Sequence, residues 1–344
     1  MNEMLAEQVL TNTTRPLRLG FLGVGWIGRH RMQAILETGL AQAVAISDPS
    51  PEMMDEALKL APAAKPVDGL NALLDEDLDG VVIATPSAQH AEQSIAVLKS
   101  GKAVFCQKPL GRNVAEVQAV VDAARENDRL LSVDLSYRHT EGLQKIRELI
   151  RSVGLGTVFS GDLVFHNAYG PDKPWFYEKA LSGGGCVMDL GVHLVDMALW
   201  CLDFPAVSQI RSHLFSGGVP ISGESDRIED YAVATIELET GAVIRIACSW
   251  RLQAGQDAII SADFHGTNGG AALRNVNGSF YDFTSERFRG TSRELLCEPP
   301  DDWGGRAAAD WAKRLARGER FDPAADRLVD VADILDCIYG RHRD

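Results

Sequence analysis

The chain has 344 residues, too many for one ordinary domain, and its 45% hydrophobic and 24% charged content is that of a folded globular protein rather than a disordered one. Its 34 Lys and Arg against 48 Asp and Glu leave a net charge of -14, which repels phosphate backbones and excludes general nucleic-acid binding. Six cysteines, none in a CxxC pair or at zinc spacing, read as reduced thiols of a cytoplasmic protein, and no run of 18 apolar residues offers a membrane span.

Residues 1–16 lack the basic start and apolar block of a signal peptide and read as a loose extension. From Leu17, strand and helix alternate. The apolar run Leu17 to Val24 leads into GVGWIG, where Gly23, Gly25 and Gly28 fit G-x-G-x-x-G around Trp26 and Ile27. The first glycine permits a tight turn, the second lets backbone approach a pyrophosphate, and the third packs helix on strand. The helix Trp26 to Thr38 then offers N–H groups and a partial positive charge to the phosphates. The strand Ala41 to Asp48 ends in an acid twenty residues past Gly28, where a carboxylate binds the ribose hydroxyls. Asp48 repels a 2'-phosphate, and Pro49, Ser50, Pro51 and Glu52 bring no Arg, so NAD is expected over NADP.

A helix over Pro51 to Leu60 is followed by the buried strand Gly80 to Thr85 and the stretch ATPSAQH. Thr85 and Pro86 fall at the carboxyl edge of the sheet, where they are expected to border the nicotinamide. Ser87 reads as the N-cap of a helix Ala88 to Ser100. His90 reads either as a cofactor contact or as a structural residue. The strand Ala103 to Cys106 then ends in Gln107, Lys108 and Pro109. Its carboxyl end points Lys108 at the same crevice, and Pro109 fixes the chain direction behind it through a bond open to the cis form. A lysine so placed stabilises a developing alkoxide or joins proton transfer, although lysines at strand ends more often start a surface loop. A helix Val114 to Asn127 and a strand Arg129 to Ser136 complete a parallel-sheet domain over residues 17–138.

Residues 139–344 follow another grammar. A helix over Glu141 to Ser152 and a strand over Thr157 to Asn167 precede the loop YGPDKPWFYEKALSGGG and a helix from Cys186 to Trp200. Strand then follows strand from Val207 to Phe283, and helices return at Trp303 to Arg317 and Ala324 to Tyr339. This predicts an α+β domain on a mostly antiparallel sheet. In the helix after GGG, Asp189, His193 and Asp196 are four and three residues apart and share one face of an apolar helix. His193 is suited to take a hydroxyl proton near neutral pH, and Asp189 to orient a substrate hydroxyl. A satisfied core histidine is the plainer alternative. A metal pair lacks a third ligand, so no metal is expected. Gly183, Gly184 and Gly185 read as freedom for the loop to move or turn.

GVGWIG, TPSAQH, QKP and GGGCVMDLGVHLVD, in this order and spacing, resemble the Gfo/Idh/MocA oxidoreductases over nearly the whole chain from Leu17. The resemblance implies a Rossmann domain followed by a domain with a large open sheet that forms the interface of a homodimer or homotetramer. It implies NAD-linked oxidation of sugars, sugar derivatives or cyclitols, with Lys108, Asp189 and His193 as the catalytic set. The family's Glu before that lysine is Gln107 here, an amide still able to bond ribose or nicotinamide, and its TPN is TPS. Tyr137, Arg138, His166 and Trp175 are then candidate substrate contacts, Trp175 by stacking on a sugar's apolar face. Two other readings stay open: an NAD- or sugar-sensing regulator, and a redox-neutral hydrolase or eliminase that regenerates NAD in each cycle.

Overall fold

The computed structural model describes residues 15–222 and 225–341, so all but the end of the 1–16 extension lies outside the described residues. The chain divides into two compact units.

The first unit takes residues up to 110, 115–134 and 304–326. Six strands, β1 (Leu17–Leu22), β2 (Ala41–Ser47), β3 (Lys65–Pro66), β4 (Gly80–Ile83), β5 (Ala103–Cys106) and β6 (Leu131–Val133), form a parallel sheet in the order β3-β2-β1-β4-β5-β6. The chain winds outward from β1 to β3, then returns to the other side of β1 with β4. That reversal opens a crevice at the carboxyl ends of β1 and β4. The connections are α1 (Trp26–Leu36), α2 (Pro51–Leu60), α3 (Gly69–Leu74), α4 (Ser87–Lys99) and α5 (Val114–Glu126). Every residue of β4 and β5 is buried, as in strands covered on both faces.

One helix corrects the sequence reading. The helix expected at Trp303 to Arg317 was assigned to the second domain. As α9 (Arg306–Ala316) it belongs to the first unit. Its Trp311 is fully buried, with its ring 5.8 Å from that of Phe105, and it lies 3.0 Å from where a Cβ on Gly80 would sit. The glycine that opens β4 is thus the seat of this indole.

The second unit takes residues 111–114, 135–303 and those from 327 onward. Its sheet has nine strands: β7 (Val158–Asn167), β8 (Val207–Ser216), β9 (Val219–Ile221), β10 (Tyr231–Leu238), β11 (Val243–Ser249), β12 (Ala258–Gly266), β13 (Gly269–Asn275), β14 (Phe283–Arg289) and β15 (Ser292–Cys297). They run in the order β15-β14-β13-β12-β7-β11-β10-β8-β9, and only β7 and β11 pair in parallel. Alternate residues of the central strands, among them Leu163, Phe165, Ala234, Ile236, Ile246 and Phe264, are buried together with those of α8 (Val192–Cys201). Around this core lie α6 (Glu141–Arg151), α7 (Lys179–Ser182) and α10 (Arg327–Ile338). The stretch Lys179–Cys201 is long and apolar enough to cross a membrane by length and composition, but 89% of its most apolar window is buried inside the protein.

Candidate active site

The first unit shapes the glycine turn from backbone contacts. Gly23 has φ +83°, and a Cβ there would lie 2.6 Å from the Ala84 carbonyl oxygen. A Cβ on Gly28 would lie 2.3 Å from the Gly23 carbonyl oxygen, which is the helix-on-strand approach expected of the third glycine. Gly25 has open space on that side, with nothing within 4 Å, and the α1 N-terminus carries no side-chain cap. This is the cradle a dinucleotide pyrophosphate requires, so the residues fit the cofactor. Asp48 holds the turn from β2: its Oδ2 accepts the Val24 N–H at 2.7 Å and its Oδ1 the Ser50 N–H at 2.9 Å. Trp26 is exposed and stacks on His30 with ring centroids 5.3 Å apart, while Ile27 is half-buried. An arginine that the stretch after Asp48 did not reveal comes from α1. Arg29 Nη1 lies 3.3 Å from the Val24 carbonyl oxygen and 3.0 Å from Met53 Sδ.

The two loops after β4 and β5 are tied together. His90 is 1% exposed, and its ring nitrogens lie 2.7 Å from the carbonyl oxygens of Pro109 and Thr85. Burial, aided by the Lys108 charge, holds its pKa below the ordinary value, while the two carbonyls oppose the shift. These two bonds make His90 a tie between the loops, whatever it contributes to the cofactor. Thr85 Oγ1 donates to Gln93 at 2.6 Å. Ser87 is not the N-cap; it is the buried first residue of α4, and Pro86 stands at the cap. The Lys108–Pro109 bond is cis. Gln107 Nε2 donates to Asp134 Oδ2 at 2.5 Å, and Arg31 Nε donates to the same oxygen at 2.6 Å. All three side chains are buried. Asp134 directly follows the neighbouring strand β6, so the amide at 107 is held to a carboxylate of the next strand end.

The second unit builds the GGG segment by close approach, not by freedom to move. Gly183 does turn, with φ +85°. A Cβ on Gly184 would lie 2.0 Å from Tyr339 Oη, and one on Gly185 2.0 Å from the Glu229 carbonyl oxygen. Glu229 then caps the helix that follows. Its Oε1 accepts the Gly185 N–H at 2.8 Å, the Val187 N–H at 3.0 Å and the Tyr339 hydroxyl at 2.6 Å. Burial pushes the Glu229 carboxyl above its ordinary pKa against these donors.

The helix opens with a π turn, Val187–Gly191, before α8. Asp189 sits in that turn, and its Oδ2 accepts the Trp250 indole N–H at 3.0 Å. His193 is buried, with its ring 5.0 Å from Tyr137 and 6.2 Å from Phe165. Asp196, expected on the same stripe, is paired with Arg138, whose guanidinium forks onto both of its carboxylate oxygens. Burial raises the Asp196 pKa and Arg138 opposes the rise.

The candidate substrate contacts separate accordingly. Tyr137 packs among Phe165, Phe283 and Trp303 as well as His193, and burial raises the pKa of its hydroxyl. Arg138 is committed to Asp196. His166 lies on the face of β7 opposite Phe165, because neighbouring residues of a strand point to opposite faces. There its Nδ1 is 2.8 Å from Ser249 Oγ and its ring stacks on Tyr231. Trp175 stacks on Phe176 at 3.8 Å, and Phe176 and Tyr177 meet Trp250 edge-on. Sequence reasoning singled out neither Trp250 nor Glu229.

Residues 17–135 match the model of an oxidoreductase family with an NAD-binding Rossmann fold, and residues 143–272 match the GFO/IDH/MocA C-terminal domain. The D-glucoside 3-dehydrogenase of Escherichia coli (strain K12) is 27% identical over 285 residues, which cover 76% of this chain and 78% of that protein. The myo-inositol 2-dehydrogenase of Thermotoga maritima is 26% identical over 282 residues, covering 81% of each. Among solved structures, levoglucosan dehydrogenase in complex with NADH and levoglucosan superposes with a TM-score of 0.81 at 22% identity, covering 95% of this chain and 97% of that one. That likeness establishes the fold.

Proposed function

The chain belongs to the GFO/IDH/MocA oxidoreductases and carries their NAD-binding Rossmann domain, and from that premise we propose that it oxidises a secondary alcohol of a sugar, sugar derivative or cyclitol. The observation that carries this substrate class is the naming of its relatives, dehydrogenases of D-glucosides and of myo-inositol. NAD, when bound, supplies the hydride acceptor. His193 takes the hydroxyl proton, Lys108 stabilises the oxygen as negative charge develops on it, and Asp189 holds a neighbouring hydroxyl. The surroundings support these roles. The His90 tie and the Gln107–Asp134 bond fix the loop that carries Lys108. The Trp250 bond orients Asp189. Preference for NAD over NADP rests on Asp48, whose charge opposes a 2'-phosphate, while Arg29 is already bonded to the Val24 carbonyl.

The test is NADH absorbance with NAD and a panel of myo-inositol, levoglucosan and methyl glucosides. Turnover is expected with at least one. His193→Ala and Lys108→Ala are each expected to lower kcat by about 10²–10⁴-fold while NAD still binds. Near wild-type turnover in either variant would remove that residue from the mechanism, and NADP binding as tightly as NAD would remove the preference.

The outward face of the nine-stranded sheet supports assembly as a homodimer or homotetramer. Val233, Ala247 and Val164 form a half-buried apolar row there, across β10, β11 and β7. A monomer in sedimentation equilibrium would overturn this. The buried Cys106, Cys186, Cys201, Cys248 and Cys297 are thiols, which supports a cytoplasmic placement that fractionation of the source cells tests.

A further inference from the structure

We infer that Trp250 is the positioning residue for Asp189 and couples it to the aromatic turn at Pro174–Tyr177; this rests on the reading of Asp189 as the holder of a substrate hydroxyl. Trp250 closes the strand β11 and is 3% exposed. An indole N–H is only a donor, so a buried one needs an acceptor. The acceptor is Asp189 Oδ2, at 3.0 Å. Such a bond to a carboxylate is among the stronger hydrogen bonds and fixes the direction of the acid. It matters here because Asp189 stands in a π turn, where the regular helix ladder is interrupted.

The same indole also meets the turn. The Phe176 ring meets it at 6.3 Å and 89°, and the Tyr177 ring at 5.7 Å and 66°. Trp175 is stacked on Phe176 in turn. Arg251, next in the chain and with φ +59°, lays its guanidinium 5.1 Å over Tyr177 and donates to the Tyr177 hydroxyl at 3.2 Å. Any displacement of the aromatic turn is therefore transmitted through one rigid ring to Asp189. A polyol seated against that turn sets the carboxylate that reads its hydroxyl.

Trp250→Phe keeps an aromatic ring for Phe176 and Tyr177 but removes the donor. With NAD saturating and myo-inositol, levoglucosan and methyl glucosides as probes, we expect KM for the turned-over polyol to rise about 10-fold or more. The change in kcat should be smaller than that in KM, and the NAD Kd should not change. In an Asp189→Asn background the same substitution should add little, since its effect runs through Asp189. The second readout is the indole N–H resonance of Trp250 in 15N-tryptophan-labelled enzyme, assigned by Trp→Phe substitution at the other tryptophans. It should move in Asp189→Asn and again on adding the polyol. A Trp250→Phe enzyme with unchanged KM beside a damaged Asp189→Asn enzyme would sink this inference alone. A neutral Asp189→Asn would sink the reading of Asp189 and this inference with it. If Trp250→Phe does not fold, an indole resonance unmoved by Asp189→Asn overturns the proposal.

Discussion

Position 107 shows how much one amide settles. Gln107 and Arg31 donate to the same oxygen of Asp134, so the buried carboxylate has its charge offset by one cation and both lone pairs of that oxygen met by donors. A glutamate at 107 would set two carboxylates at hydrogen-bond distance away from water. They must share a proton or repel each other. Gln107→Glu is therefore expected to destabilise the protein by about 1–3 kcal/mol at pH 8, with a smaller loss at pH 5 where a shared proton is available. Urea unfolding at the two pH values checks this, and an equal loss at both would show that the carboxylates do not meet. The sequence displayed Gln107 as a departure next to Lys108. It gave no way to see that Asp134, 27 residues on, is its partner. Strand-end residues become neighbours only through sheet order, which a single sequence leaves implicit.

At the scale of elements, the alternation of strand and helix was legible, and so were the glycine turn and the positions of β1, β2, β4 and β5 along the chain. Asp189, His193 and Asp196, read as one stripe of an α-helix, each meet their own partner, Trp250, Tyr137 and Arg138, and a π turn carries Asp189. His166 was read as near the site, yet the period of two on β7 sends it to the other face from Phe165. The three glycines were read as freedom to move or turn; Gly183 does turn, and a Cβ at any of the three would press within 3 Å of a neighbour. A Cβ at 185 would press to 2.0 Å on a backbone carbonyl that cannot move aside, at the point where Glu229 caps the helix. Gly185→Ala is expected to cost about 3 kcal/mol or more and to lower the yield of folded protein. Gly25→Ala, at the open glycine, should leave stability within about 0.5 kcal/mol of wild type while weakening NAD binding. Thermal melts and an NAD titration on the two variants separate a packing glycine from a ligand-facing one. A stable Gly185→Ala protein would restore the mobility reading.

At the scale of the whole molecule, the chain completes its first unit only after passing through the second. Helical periodicity located α9 but could not say which core its apolar stripe serves, because an amphipathic helix fits either one. The deciding feature is Trp311, whose ring needs the space that Gly80 leaves at the start of β4 and lies beside Phe105 of β5. Those two strands end in the loops that carry Thr85 and Lys108, so a helix more than 200 residues away in sequence supports the floor of the proposed NAD site. Trp311→Ala opens a cavity at a fully buried site and is expected to cost about 3–5 kcal/mol. Hydrogen exchange should show the loss in β4 and β5 first, and the NAD Kd should rise with it. A chain ended at residue 303 should lose NAD binding altogether, although it keeps all of the glycine turn and Asp48. If that truncated chain instead bound NAD like the full protein, the parallel sheet would be self-sufficient and α9 an attachment rather than a part of its core.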